Sequence, residues 1–204
     1  MRAPRDRAAL ASFCETLADG ARAVCCRHFR TDTAVETKAD ASPVTRADRE
    51  TEAFLRARIA AAYPAAGLFG EEQGAGGLDA DLLFVVDPID GTKSFITGSP
   101  LFATLIAVLQ DGRPVVGLID MPALDERWIG ILGERTIYRW ADRSVCCATG
   151  NGVAIGEAAV STTSPDMFAS DDWARFDAVS RQARLRRFGG DAYQYGRLAC
   201  GELD

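Results

Sequence analysis

With a single histidine, His28, in its 204 residues, the chain can build a Ser-His-Asp or Cys-His site only around that one ring. His28 lies in a helix-forming stretch beside Phe29 with no nucleophile motif near it, so a surface or packing role is expected. No apolar run approaches the ~18 residues of a membrane span, and Met1-Arg-Ala-Pro-Arg-Asp-Arg7 leads into a helical pattern instead of an apolar signal core. A cytoplasmic protein with no membrane partner is expected. Positive charge is short as well: 23 Lys and Arg against 29 Asp and Glu leave a net charge of −6, which argues against nucleic acid as a partner. The dinucleotide fingerprint Gly-x-Gly-x-x-Gly does not occur. The 6 cysteines lack the two-residue spacer of zinc and redox centres. They fall as the adjacent pairs Cys25-Cys26 and Cys146-Cys147, with Cys14 and Cys200 alone, and are expected to be reduced and structural.

What the chain does have is Leu82-Leu-Phe-Val-Val-Asp-Pro-Ile-Asp-Gly-Thr92. Leu82 to Val86 reads as a buried strand, and Asp87-Pro88 is expected to stop it because proline has no amide for the ladder. Asp87 and Asp90, three residues apart across a turn, can aim both carboxylates into one volume, where they repel unless hard cations sit between them. Glu71 and Glu72 add acids upstream, and Thr92 to Gly98 reads as a short helical turn opened by Gly91, on whose free amides a phosphate could dock. The plain alternative is that Asp-Pro and Asp-Gly are ordinary turns and Glu71-Glu72 a solvated pair.

The remaining pattern is mixed. Arg5 to Phe29 has apolar residues at helical spacing, Val35 to Lys38 reads as a strand, Ser42-Pro43 as a turn and Asp48 to Ala62 as a second helix ended at Tyr63-Pro64. Phe102 to Leu109 and Pro114 to Asp120 read as strands joined by Gln110-Asp-Gly-Arg113, with Arg127 to Leu132 continuing the sheet. Tyr138 to Ile155 reads as irregular, and a loose boundary is placed there, between subdomains 1–145 and 146–204. Ala158 to Ser161 and Leu185 to Phe188 read as strands around a helix from Asp171 to Ala183.

The pieces Gly70-Glu-Glu72 and Asp87-Pro-Ile-Asp-Gly-Thr92 together resemble the magnesium-dependent inositol-monophosphatase-like sugar-phosphatase superfamily. The longer string Asp87 to Gly98 followed by Pro100-Leu-Phe-Ala-Thr-Leu-Ile-Ala107 is most similar to its histidinol-phosphatase branch. Lys38 to Asp48, Ser161 to Met167 and Arg187 to Tyr193 extend the likeness over nearly the whole chain.

The resemblance implies an α+β, layered α/β/α/β fold whose C-terminal part is incomplete here. It implies hydrolysis of a small phosphorylated metabolite by metal-activated water, with histidinol phosphate of histidine biosynthesis as substrate. Inositol phosphates of broad range are the alternative, or a truncated, inactive chain serving as a metal-binding or interaction module. By the same resemblance Glu71, Asp87 and the carbonyl of Ile89 hold one magnesium ion, and Asp87 and Asp90 a second, of two or three in all, with manganese able to replace them. Glu71 and Thr92 would orient and deprotonate the attacking water, and the amides of Gly91 and Thr92 would hold phosphate oxygens. Asp191, supported by Arg187, could pair with an amine or imidazole of the substrate; the dull reading of both is a strand-end charge pair. Asp48 reads equally as a member of the metal cluster or as a helix-start carboxylate, and Lys38 as a substrate-attracting charge or a surface lysine. Relatives are commonly homodimers. Their further metal-binding Asp, in a Trp-Asp-like motif beyond the segment Cys200 to Asp204, has no counterpart, so a truncated chain is expected.

Overall fold

A computed structural model describes residues 6–31, 35–37 and 43–204. Helix α1 (Arg7–His28) starts where the Asp6 carboxylate accepts the amides of Ala8 and Ala9, and Leu10, Cys14, Leu17, Ala21 and Cys25 form its buried stripe. Strands β1 (Val35–Thr37) and β2 (Pro43–Thr45) pair antiparallel, and helix α2 (Arg46–Ala62) follows directly. It begins two residues before the expected Asp48 because Thr45 is its cap: the Thr45 hydroxyl accepts the amide of Ala47, while Asp48 takes the Thr45 amide.

Strands β3 (Gly67–Gly70), β4 (Gly74–Gly76) and β5 (Leu82–Asp90) precede the short helix α3 (Thr92–Ile96). The meander β6 (Ala103–Gln110), β7 (Arg113–Met121), β8 (Glu126–Ile131), β9 (Ile137–Trp140) and β10 (Arg143–Cys146) comes next. Together they make an 8-stranded sheet in the order β10-β9-β8-β7-β6-β5-β3-β4. Every neighbouring pair is antiparallel except β3 with β5. The stretch from Tyr138 is therefore not irregular, as its Arg and Cys content implies, since β9 and β10 extend the sheet as a hairpin; only residues 147–154 lack regular structure. Strand β11 (Ala159–Thr162), helix α4 (Ser170–Ser180) and strand β12 (Leu185–Phe188) form a parallel crossover unit, and helix α5 (Asp191–Ala199) follows.

Alternation along the strands sorts the two faces of the large sheet. Leu82, Phe84, Val86, Ile106, Val108 and Leu118 turn to α1 and α2 and build the main core with Leu10, Leu17 and Leu55. The buried Asp120 carboxylate of β7 holds α1 on this face through Arg22 at 2.7 Å, and Arg127 of β8 bridges Asp120 at 2.8 Å to Asp19 of α1 at 2.7 Å. The opposite face, with Val85, Leu105 and Ile119, looks into a cleft of about 750 Å³ between the sheet and α5. Among the described residues no helix is long and apolar enough to cross a membrane.

Candidate active site

In a regular strand Asp87 and Asp90 would point to opposite faces, because side chains alternate. Strand β5 does not stop at Pro88 as expected, but runs on to Asp90, losing register with β6 between Asp87 and Asp90. Pro88 is tolerated there because the ladder is already broken. Its carbonyl takes the hydroxyl of Thr104 at 2.8 Å, and the Asp87 carboxylate folds back onto the amide of Ile89 at 3.1 Å. The irregularity brings the carboxylates into each other's field. Glu71 arrives by a different route. Because β3 runs parallel to β5 with Gly70 opposite Val86, the residue after β3 emerges beside Asp87.

The charges respond as crowded, buried acids do. Burial, then the charges of Glu71 and Asp90, push Asp87 up to about 9. Asp90 is pushed up to about 6 by burial, opposed by the amide of Ala192, which its carboxylate accepts at 2.7 Å. Asp48 is also raised, first by burial and partly by Glu71, against its hydrogen bonds with Thr45. Asp48 closes the cap of α2, and its charge also reaches Asp87. The acids stand apart all the same: among the described residues no group of three His, Cys, Asp or Glu side chains is spaced to hold a metal ion. Crowded oxygen donors that cannot all ionise are chemically what a divalent hard cation suits, since its charge would let them converge.

The turn after β5 is shaped by Gly91, whose φ is 81°, and by the start of α5. A side chain at 91 would meet the Asp191 Oδ2 atom at 2.9 Å. Asp191, itself at φ 44°, has its carboxyl raised by burial, against the nearby hydroxyls of Thr163 and Ser94 and the charge of Lys93. Asp191 is half-buried. Arg187 is exposed on β12 opposite Ser161. The Thr92 hydroxyl donates to the carbonyl of Ile89 at 3.2 Å, so its one proton is not directed at Glu71 as expected, and the Ile89 carbonyl is already engaged. Lys38 lies outside the described residues.

Sequence reasoning missed Glu52. Wholly buried on α2, it accepts the amides of Glu72 at 2.6 Å and Gln73 at 3.0 Å and is held by Arg56 at 2.7 Å, so it anchors the turn that carries Glu71. His28 pairs with Glu50 at 2.8 Å, in keeping with its packing role.

The model of the inositol monophosphatase family matches residues 6–204. The chain belongs to that family. Inositol monophosphatase family members are metal-dependent, which agrees with the acidic donor set described above. The chain is 40% identical over 190 residues to the chloroplastic bifunctional phosphatase IMPL2 of Arabidopsis thaliana, covering 92% of this chain and 54% of that protein. It is 36% identical over 180 residues to the histidinol-phosphatase of Mycobacterium tuberculosis, covering 85% and 67% respectively. An inositol monophosphatase structure from Zymomonas mobilis superposes with a TM-score of 0.84 at 37% identity, over 98% of this chain and 76% of that one. The chain thus spans about half the length of IMPL2 and two thirds of the M. tuberculosis relative. The layered α+β fold is that of the inositol monophosphatases.

Proposed function

We propose that this chain carries the site of a metal-dependent phosphomonoesterase acting on a phosphate monoester that bears a cationic group, with histidinol phosphate as the substrate. The observation that carries the reading is Asp191: a half-buried carboxylate set against the Gly91 turn, next to Ala192 whose amide Asp90 accepts. A carboxylate held in that way is suited to an amine or imidazole, and a neutral polyol has no need of it. The histidinol-phosphatase relatives support the same choice.

Glu71, Asp87, the Ile89 carbonyl and Asp90 are the groups that would hold magnesium or manganese. When bound, such an ion neutralises phosphate charge and acidifies a coordinated water. Asp87, central to the cluster, would hold the ion as its carboxylate. Glu71 accepts the proton of the attacking water, and the amides of Gly91 and Thr92 hold the phosphate oxygens in line. Thr92 joins Glu71 by turning its hydroxyl from the Ile89 carbonyl. A second reading, an inositol-phosphate phosphatase, is favoured by the Z. mobilis structure.

The test is phosphate release from histidinol phosphate and from inositol monophosphate, with and without magnesium, by the 204-residue chain and by Asp90→Asn. Magnesium-dependent release from histidinol phosphate, lost in Asp90→Asn, is expected. Preference for inositol monophosphate would overturn the substrate, and absence of release from a folded chain would overturn the activity of this polypeptide.

A further inference from the structure

The sulfurs of Cys147 and Cys200, 53 residues apart in sequence, lie 2.7 Å from each other. That is about 0.7 Å longer than a disulfide bond, so bonding needs only a small approach. Each thiol sits on a firm support. Cys147 follows the last residue of β10, and its amide donates to the carbonyl of Thr136 at 2.8 Å. Cys200 ends α5 and receives the indole N–H of Trp128 at 3.2 Å. Both face a cleft of about 590 Å³ that Tyr138, Trp140 and Arg197 also line, wide enough to admit a small reagent. Cys146, exposed at the end of β10, also lines this cleft, but the sulfur that lies against Cys200 is that of Cys147.

We infer that Cys147 and Cys200 are a reversible disulfide site that closes when the chain meets a small-molecule disulfide, cross-linking the end of β10 to the end of α5. Cys200, the more accessible thiol, reacts first, held in place by the indole N–H of Trp128. Burial and the neighbouring Cys200 push Cys147 up to about 12, which keeps it protonated until its partner is engaged. The Cys200 thiolate attacks one sulfur of the reagent, forming a mixed disulfide and expelling one thiolate. Cys147 loses its proton to water and attacks the Cys200 sulfur, expelling the second thiolate. Two protein thiols are oxidised, and one small disulfide is reduced to two thiols. The bond pins the far end of the helix whose near end donates from Ala192 to Asp90. The inference rests on the thiol geometry and is independent of the reaction proposed above.

The test treats the full chain with oxidised glutathione, alkylates the remaining thiols and maps the peptides. Expected are the loss of two of the 6 alkylatable thiols, a mass about 2 Da below the reduced chain, and a Cys147–Cys200 peptide that dithiothreitol separates. Cys146→Ser is expected to keep the cross-link and Cys200→Ser to lose it. A cross-link through Cys146, or full alkylation of Cys147 and Cys200 in a chain that is folded by circular dichroism, overturns the inference. If Cys200→Ser does not fold, the peptide map of the unaltered chain still decides.

Discussion

The carboxylate of Glu52 accepts the backbone amide of Glu72 at 2.6 Å, so a buried acid on α2 holds the turn that presents Glu71 to Asp87. Its other oxygen serves Gln73 and Arg56. Glu52→Gln keeps the shape but turns an amide N–H towards amides that need an acceptor. A loss of about 1–3 kcal/mol in urea unfolding is expected. The magnesium concentration for half-maximal phosphate release is expected to rise about tenfold, as when the support of a ligand is removed. An unchanged magnesium requirement would show that Glu52 serves the fold alone.

The acidic cluster makes the metal-free chain sensitive to pH in an unusual direction. Asp87 and Asp90 have folded pKa values raised to about 9 and about 6, above the ordinary carboxylate value of 3.8. The unfolded chain therefore releases these protons first, and the stability that the protonated acids contribute, fully present below about pH 4, is lost as pH rises through about 6 and then 9. With a chelator, the unfolding midpoint is expected to drop by more than about 5 °C between pH 5 and pH 9. Magnesium is expected to restore it at the higher pH, where the ligands are ionised. Asp87→Asn should flatten the slope, and a slope unaltered by that change would locate the titration elsewhere.

Asp191 is the residue on which substrate choice is expected to turn. Its φ of 44° is one that Asn and Asp accept more readily than other side chains, so Asp191→Asn is a cleaner change than the charge reversal Asp191→Lys. Removing the charge should lower kcat/KM for histidinol phosphate roughly 10- to 100-fold, the worth of a charged hydrogen bond. The rate with inositol monophosphate is expected to stay within about threefold. Equal losses on both substrates would mean that Asp191 supports the turn at Gly91 and does not read the amine.

Much of this was legible in the chain, though for reasons that held unevenly. The apolar periodicity of Leu10 to Cys25, the strand from Leu82 and the Asp111-Gly112 hairpin carry local signals that the structure follows. Pro88 misleads because its missing amide matters only where a partner carbonyl waits, and the register shift removes that partner. Asp87 and Asp90 come within each other's field by a broken ladder within β5 instead of a turn after it. Arg, Cys and Gly between Tyr138 and Ile155 hide a hairpin whose pairing with β8 is set by tertiary contact. Glu52 and the Cys147–Cys200 pair have no local signature at all, since each acquires its meaning only when distant segments pack.

The last prediction sets helix propensity against packing. Gly→Ala within a helix ordinarily gains about 1 kcal/mol. At Gly196 of α5 a Cβ would stand 2.7 Å from the ring of Trp128. That ring cannot retreat. It is buried, stacked on Tyr138 at 4.5 Å, met edge-on by Tyr193 at 5.7 Å, and bonded to Cys200 through its N–H. The helix must move instead, and with it the amide of Ala192 that Asp90 accepts. Overpacking of this kind costs about 1–3 kcal/mol, enough to outweigh the propensity gain. Gly196→Ala is therefore expected to be less stable than the unaltered chain in urea and to release phosphate more slowly. Tyr195→Ala, one residue away and 67% exposed, should stay within about 0.5 kcal/mol. A more stable Gly196→Ala would mean that α5 is free to shift on the sheet without disturbing Asp90.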